Sequence, residues 1–196
     1  MTLNGILLAT ALSASLAVFC GAPAASATAL PASKTPAKTT AHVMSDAEFA
    51  KAAAEGGMAE VKFGQLAEEK GHSEVVKDFG KRMVADHTRI NDQLKTTAAA
   101  DKLTLPTELS AHDQSVYDRL SKLSGAAFDR AYAHDMVHDH EVDIAAFKTQ
   151  AKDGKNDGLK TFASDALPTL EEHLKLARTM LHDVSAKSAS TTKKQG

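Results

Sequence analysis

Apolar residues recur at intervals of three and four over four long stretches of this chain. There is no sustained alternation and no hairpin signal, so the pattern predicts helices throughout. The first helix is expected to start at Ser45, where Ser45-Asp46-Ala47-Glu48 has the form of a capping box, and to reach about Lys70, ahead of Gly71. Gly56-Gly57 weakens its middle and leaves room for a bend. The second runs from near Ser73 to about Ala100, with Val76, Phe79, Met83, His87, Ile90 and Leu94 on one stripe. A linker containing Pro106 leads to a short helix over about Ala111 to Leu123. The third long helix starts after Ser124 and ends near Asp153, carrying Phe128, Tyr132, Met136, His140, Ile144 and Phe147. The last covers about Leu159 to Val184, aligning Leu159, Phe162, Ala166, Leu170, His173, Ala177 and Met180, with Pro168 expected to kink it.

Four long amphipathic helices predict an all-α fold, a four-helix bundle. The connections between helices one and two, and between three and four, are short and imply antiparallel neighbours. The middle connection, which contains the short extra helix, is long enough to travel back along the bundle, the crossover of ferritin-like bundles.

The ends of the chain read differently. Ile6 to Phe19 is a short apolar run followed by small residues, including Ala25-Ser26-Ala27, which predicts residues 1–27 as a cleaved signal peptide and a periplasmic or secreted protein. That run is shorter than a membrane span and interrupted by Ser and Thr, and no later segment could span. Cys20 is the one cysteine; a lipoprotein anchored there is the poorer fit, because Phe19 precedes it where a small residue is usual. Residues 28–44, rich in Ala, Thr, Pro and Lys, are expected to form a flexible leader, 45–184 the bundle, and 185–196 a disordered tail. The formal net charge of −2 is unchanged by removal of residues 1–27, and it predicts neither nucleic acid nor an anionic membrane as partner.

One phrase is written twice: Phe79-x3-Met83-Val84-x-Asp86-His87 and Tyr132-x3-Met136-Val137-x-Asp139-His140. It sets a histidine into each apolar stripe, where an unpaired polar group costs on the order of 1–3 kcal/mol. Glu60 and His173 hold the same place in the first and last long helices. All four lie roughly 14 to 16 residues into their helices, so they fall near one level whichever way the helices run. Glu60, His87, His140 and His173 could therefore hold a single transition metal ion, zinc, copper or iron. A hydrogen-bonded lock that fixes helix register without metal is the favoured reading of the four from sequence. Asp86, Asp139 and Glu172 each precede a histidine but are turned about 100° from it, which suits outer-shell or surface roles. His134, His138 and Glu141 share another face of the third long helix and read as solvated. Met83, Met136 and Met180 read as core packing. No phosphate loop, nucleophile elbow or basic aromatic stripe is present, so the sequence carries no sign of catalysis.

The chain resembles the bacterial family catalogued as DUF4142, a domain of unknown function described as ferritin-like and often labelled a membrane or outer-membrane protein. The resemblance rests on Gly57-Met58-Ala59-Glu60, Arg82-Met83-Val84-Ala85-Asp86-His87, Ser124-Gly125-Ala126-Ala127-Phe128-Asp129-Arg130-Ala131-Tyr132, Met136-Val137-His138-Asp139-His140 and Ala166-Leu167-Pro168-Thr169-Leu170-Glu171-Glu172-His173-Leu174. It implies a ferritin-like bundle and an envelope location. The wider ferritin-like group holds two irons with paired Glu-x-x-His motifs. Here the positions three before His87, His140 and His173 are Val84, Val137 and Leu170, which cannot ligate metal. A di-metal oxidase therefore ranks below two other expectations. One is an exported protein binding one metal in its core or acting in metal stress; the other is a non-enzymatic envelope bundle that binds a protein partner.

Overall fold

Five helices account for almost all of the residues described by the computed structural model, 44–193: α1 (Asp46–Lys70), α2 (Glu74–Ala100), α3 (Ala111–Ser121), α4 (Gly125–Asp153) and α5 (Asp157–Lys193). No strand occurs among them, as the apolar period predicts. The expected signal peptide, Cys20 and nearly all of the leader lie outside the described residues.

The helices begin where their capping chemistry places them. The Ser45 side chain accepts from the Glu48 N–H, and the Glu48 carboxylate accepts from the Ser45 N–H at 2.8 Å, which completes the capping box of α1. Gly56-Gly57 does not interrupt α1. A Cβ at Gly57 would overlap the Asn91 amide of α2, so that glycine serves close packing. Gly64 and Gly80 do the same further along: a Cβ on either would lie 2.7 Å from the carbonyl oxygen of the other. At the C-terminus, α5 reaches Lys193 rather than ending near Val184. Residues 185–193 contain neither Gly nor Pro, so nothing in the backbone stops the helix. It also continues through Pro168, which is exposed, where the displaced Ser164 carbonyl can turn to water.

Two apolar clusters reveal the direction of each helix. One joins Phe63 and Leu66 late in α1, Val76 and Phe79 early in α2, Phe128 and Tyr132 early in α4, and Met180 and Val184 late in α5. The other joins Phe49 and Ala54 of α1, Ile90 and Leu94 of α2, Ile144 and Phe147 of α4, and Leu159 and Phe162 of α5. So α1 and α2 are antiparallel, as are α4 and α5, while α2 and α4 run the same way. The chain must return along the bundle between α2 and α4, and residues 101–124, including α3, make that crossover. α1 packs on α2 and α4, and α5 on α2 and α4, leaving α2 diagonal to α4. This is the wiring expected from the loop lengths.

Each end is tied by an aspartate from another helix. Asp129 of α4, 3% exposed, accepts the N–H groups of His72 and Ser73 in the α1–α2 turn at 2.8 and 2.9 Å. At the opposite end Asp46 of α1 accepts from Gln150 Nε2 at 2.8 Å and from the N–H groups of Lys155 and Asn156 in the α4–α5 turn. Both carboxylates satisfy backbone donors that short turns leave open.

Candidate metal centre

Between the two apolar clusters lies a polar layer. Glu60, His87, His140 and His173 are 2%, 3%, 1% and 0% exposed, one from each long helix, at the common level that the helical rise predicts. Their ridges are buried as expected, with Met83 and Met136 one turn from the first two histidines and fully enclosed.

The three imidazoles converge. One nitrogen from each of His87, His140 and His173 lies within 4.8 Å of the others, and the ring centroids stand 5.3 to 5.7 Å apart. Hydrogen bonds assign the protons. Nδ1 of His140 is 2.9 Å from the Met136 carbonyl, which can only accept, so that nitrogen carries the proton and Nε2 is bare. Nε2 of His173 donates to Asp86 Oδ2 at 2.8 Å, which leaves Nδ1 bare in the neutral ring. These two bare nitrogens face each other at 3.4 Å. Nε2 of His87 is buried without a hydrogen-bond partner among the described residues.

Burial drives His87 well below the ordinary histidine pKa, with the neighbouring imidazoles adding to it. Burial likewise brings His140 down to about 4 and lowers His173 despite the opposing carboxylate of Asp86. Asp86 is held below its usual value against burial, by the hydrogen bond from His173 and by Arg82 at 3.4 Å. Two bare nitrogens facing each other, with a third imidazole converging on them and its charged form disfavoured by burial, suit a transition metal. Two imidazole nitrogens bound at about 2.0–2.1 Å to one tetrahedral ion stand about 3.3 Å apart, close to the spacing of His140 and His173.

Glu60 does not join the three nitrogens in the same way. Its Oε1 lies 3.6 Å from Nδ1 of His140, the nitrogen turned to Met136, and its Oε2 has no partner among the described residues. Burial, reinforced by Asp139 and Asp143, pushes the Glu60 carboxyl well above the usual range. The carboxyl stands beside the His140 ring, outside the three converging nitrogens.

Asp86 is the neighbour of the histidines that the helical stripe hides. Its position before His87 turns it away from that ring and toward His173 of α5, the outer-shell role that the 100° step allows. The Asp-His pair inside the repeated phrase was the available signal. The surface cluster behaves as a solvated face: His134, His138 and Glu141 are exposed, and Glu141 pairs with Arg178 at 2.8 Å.

Residues 30–180 match the family described as Domain of unknown function (DUF4142), and the chain belongs to that family. No curated protein and no solved structure matches it.

Proposed function

We infer that this protein binds one divalent transition metal ion in the middle of its bundle, through His87, His140 and His173, with Glu60 beside His140. The observation that carries this reading is the pair of bare nitrogens facing each other at 3.4 Å, with His87 completing a set of three ring nitrogens within 4.8 Å of one another. Lone pairs set face to face repel, and a cation between them turns that repulsion into three bonds. Asp86 and the Met136 carbonyl hold two of the rings by their outer nitrogens, the usual support of a histidine ligand. Zinc, copper and iron all accept imidazole, and the ligand set leaves a fourth position open. The apolar run and small-residue site before residue 28 support export, and with it a role in envelope metal handling or metal stress.

One observation favours a second reading, in which the layer is purely structural and the bundle works through a protein partner. A protonated His173 would donate to Asp86 and to His140 at once, which satisfies both without a metal. Metal analysis of the mature protein, purified without added metal, separates the two. One ion per chain, lost in His87→Ala, supports the metal centre; substoichiometric metal unchanged by His87→Ala leaves the lock.

A further inference from the structure

On the outer side of Glu60, a cavity of about 260 Å³ opens between α1, the start of α3 and α4. Five carboxyl groups line it, those of Glu55, Glu60, Asp113, Asp139 and Asp143, and no Lys or Arg does. Two of them are engaged elsewhere: Glu55 faces Lys51 at 3.9 Å, and the Asp113 carboxylate accepts from the hydroxyl of Ser110, the N-cap of α3, at 2.7 Å. Neither Asp139 nor Asp143 has an ion-pair partner among the described residues. Burial, with repulsion from Asp139 and Asp113, pushes Asp143 up to about 7, the behaviour of an anion short of a cation.

Glu60 connects this cavity to the histidines. It is 2% exposed yet lines the cavity; its Oε1 is 3.6 Å from the His140 ring and its Oε2 has no partner. Among the described residues, the opposite side of the layer has no such free carboxylate. There Asp86 is occupied by His173, and Arg82 stands 3.4 Å away. The two copies of the repeated phrase differ at this point, Arg82 preceding Met83 in one and Asp135 preceding Met136 in the other.

We propose that the acidic cavity is the access route by which a divalent cation reaches the three-histidine centre, received at Asp139 and Asp143 and passed inward by Glu60. This rests on the metal-binding reading above. Charged clefts raise the arrival rate of an opposite charge by 10 to 10³-fold, and carboxylates that hold the ion part-way lower the barrier for entry and exit alike, so a route, unlike a ligand, leaves the final affinity alone.

The test is stopped-flow uptake of Co²⁺ by the metal-free mature protein, followed by the ligand-field absorbance of the histidine-bound ion, with release into excess chelator. Asp139→Asn combined with Asp143→Asn should slow uptake and release by the same factor, about tenfold or more, at unchanged stoichiometry and affinity. Asp92→Asn with Asp165→Asn, which neutralises two carboxylates on the groove between α2 and α5, should leave both rates as they were. Each single variant guards against misfolding of the double one, with circular dichroism as the check. Full stoichiometry with unaltered rates overturns the route. So does slower uptake with unaltered release, because the two aspartates would then be contributing to affinity. A wild-type protein that takes up no Co²⁺ overturns the three-histidine centre itself, and the route falls with it.

Discussion

Asp86 on α2 accepts a hydrogen bond at 2.8 Å from Nε2 of His173 on α5, across the bundle and 87 residues away in the chain. That single contact decides which nitrogen of His173 faces the other imidazoles. It also marks a residue whose loss separates a metal centre from a structural lock.

Replacing Asp86 by Asn keeps the volume and removes the charge. On the metal-binding reading, affinity falls about 10–100-fold while one ion per chain still binds at saturating metal. Competition against a chromophoric chelator measures it. A purely structural layer predicts a lower melting temperature and no metal-dependent difference between Asp86→Asn and wild type.

Adding the metal should stabilise the native state by mass action. At a free ion concentration 100 times Kd the gain is about 2.7 kcal/mol, visible as a concentration-dependent rise in melting temperature. His140→Ala should abolish that dependence. A rise that persists in His140→Ala would assign the stabilisation to some other site.

The two aspartates that tie the turns should differ in cost. Asp129 is buried, so Asp129→Ala strands the His72 and Ser73 N–H groups and should cost about 2–3 kcal/mol in chemical denaturation. Asp46 is half-buried, and Asp46→Ala should cost about 1–2 kcal/mol, because water can reach the freed donors.

Asp46 also carries a pH signature. The hydrogen bond from Gln150, with the N–H groups of Lys155 and Asn156, holds its carboxyl below the ordinary 3.8 in the folded chain, although burial opposes this. Its contribution is therefore fully present above pH 3.8 and is lost as pH falls through the lower folded value. Melting temperature against pH should drop less steeply below pH 4 in Asp46→Asn than in wild type, the two curves converging at the acid end.

Two glycines of α1 should respond in opposite directions to the same substitution. A Cβ at Gly56 meets nothing closer than the Asp143 carboxylate at 3.8 Å, so Gly56→Ala should stabilise by about 0.5–1 kcal/mol through helix propensity. At Gly64 the added carbon would lie 2.7 Å from the Gly80 carbonyl, so Gly64→Ala should cost about 1–3 kcal/mol. Urea titrations of the two variants compare them directly.

The helices, their buried stripes and the shared level of Glu60, His87, His140 and His173 were legible in the sequence, because helical rise and a period of 3.6 turn position into height and direction. The capping box at Ser45 marked the start of α1 to within a residue. The end of α5 was not legible in the same way, since the polar composition of residues 185–193 resembles a tail although nothing in it breaks a helix. The partners of Asp46 and Asp129 were hidden too, because each reaches a turn more than 50 residues away.

By itself, then, the chain specified an all-helical bundle, its crossover, and an apolar interior holding three histidines and a glutamate at one height. Only the tertiary structure decided what those four side chains face. Periodicity fixes the side of a helix on which a residue lies, but rotamer and neighbour fix which nitrogen of a ring is bare. The Met136 carbonyl and Asp86 set those nitrogens for His140 and His173, while Glu60 was turned to the far side of the His140 ring and toward the acidic cavity.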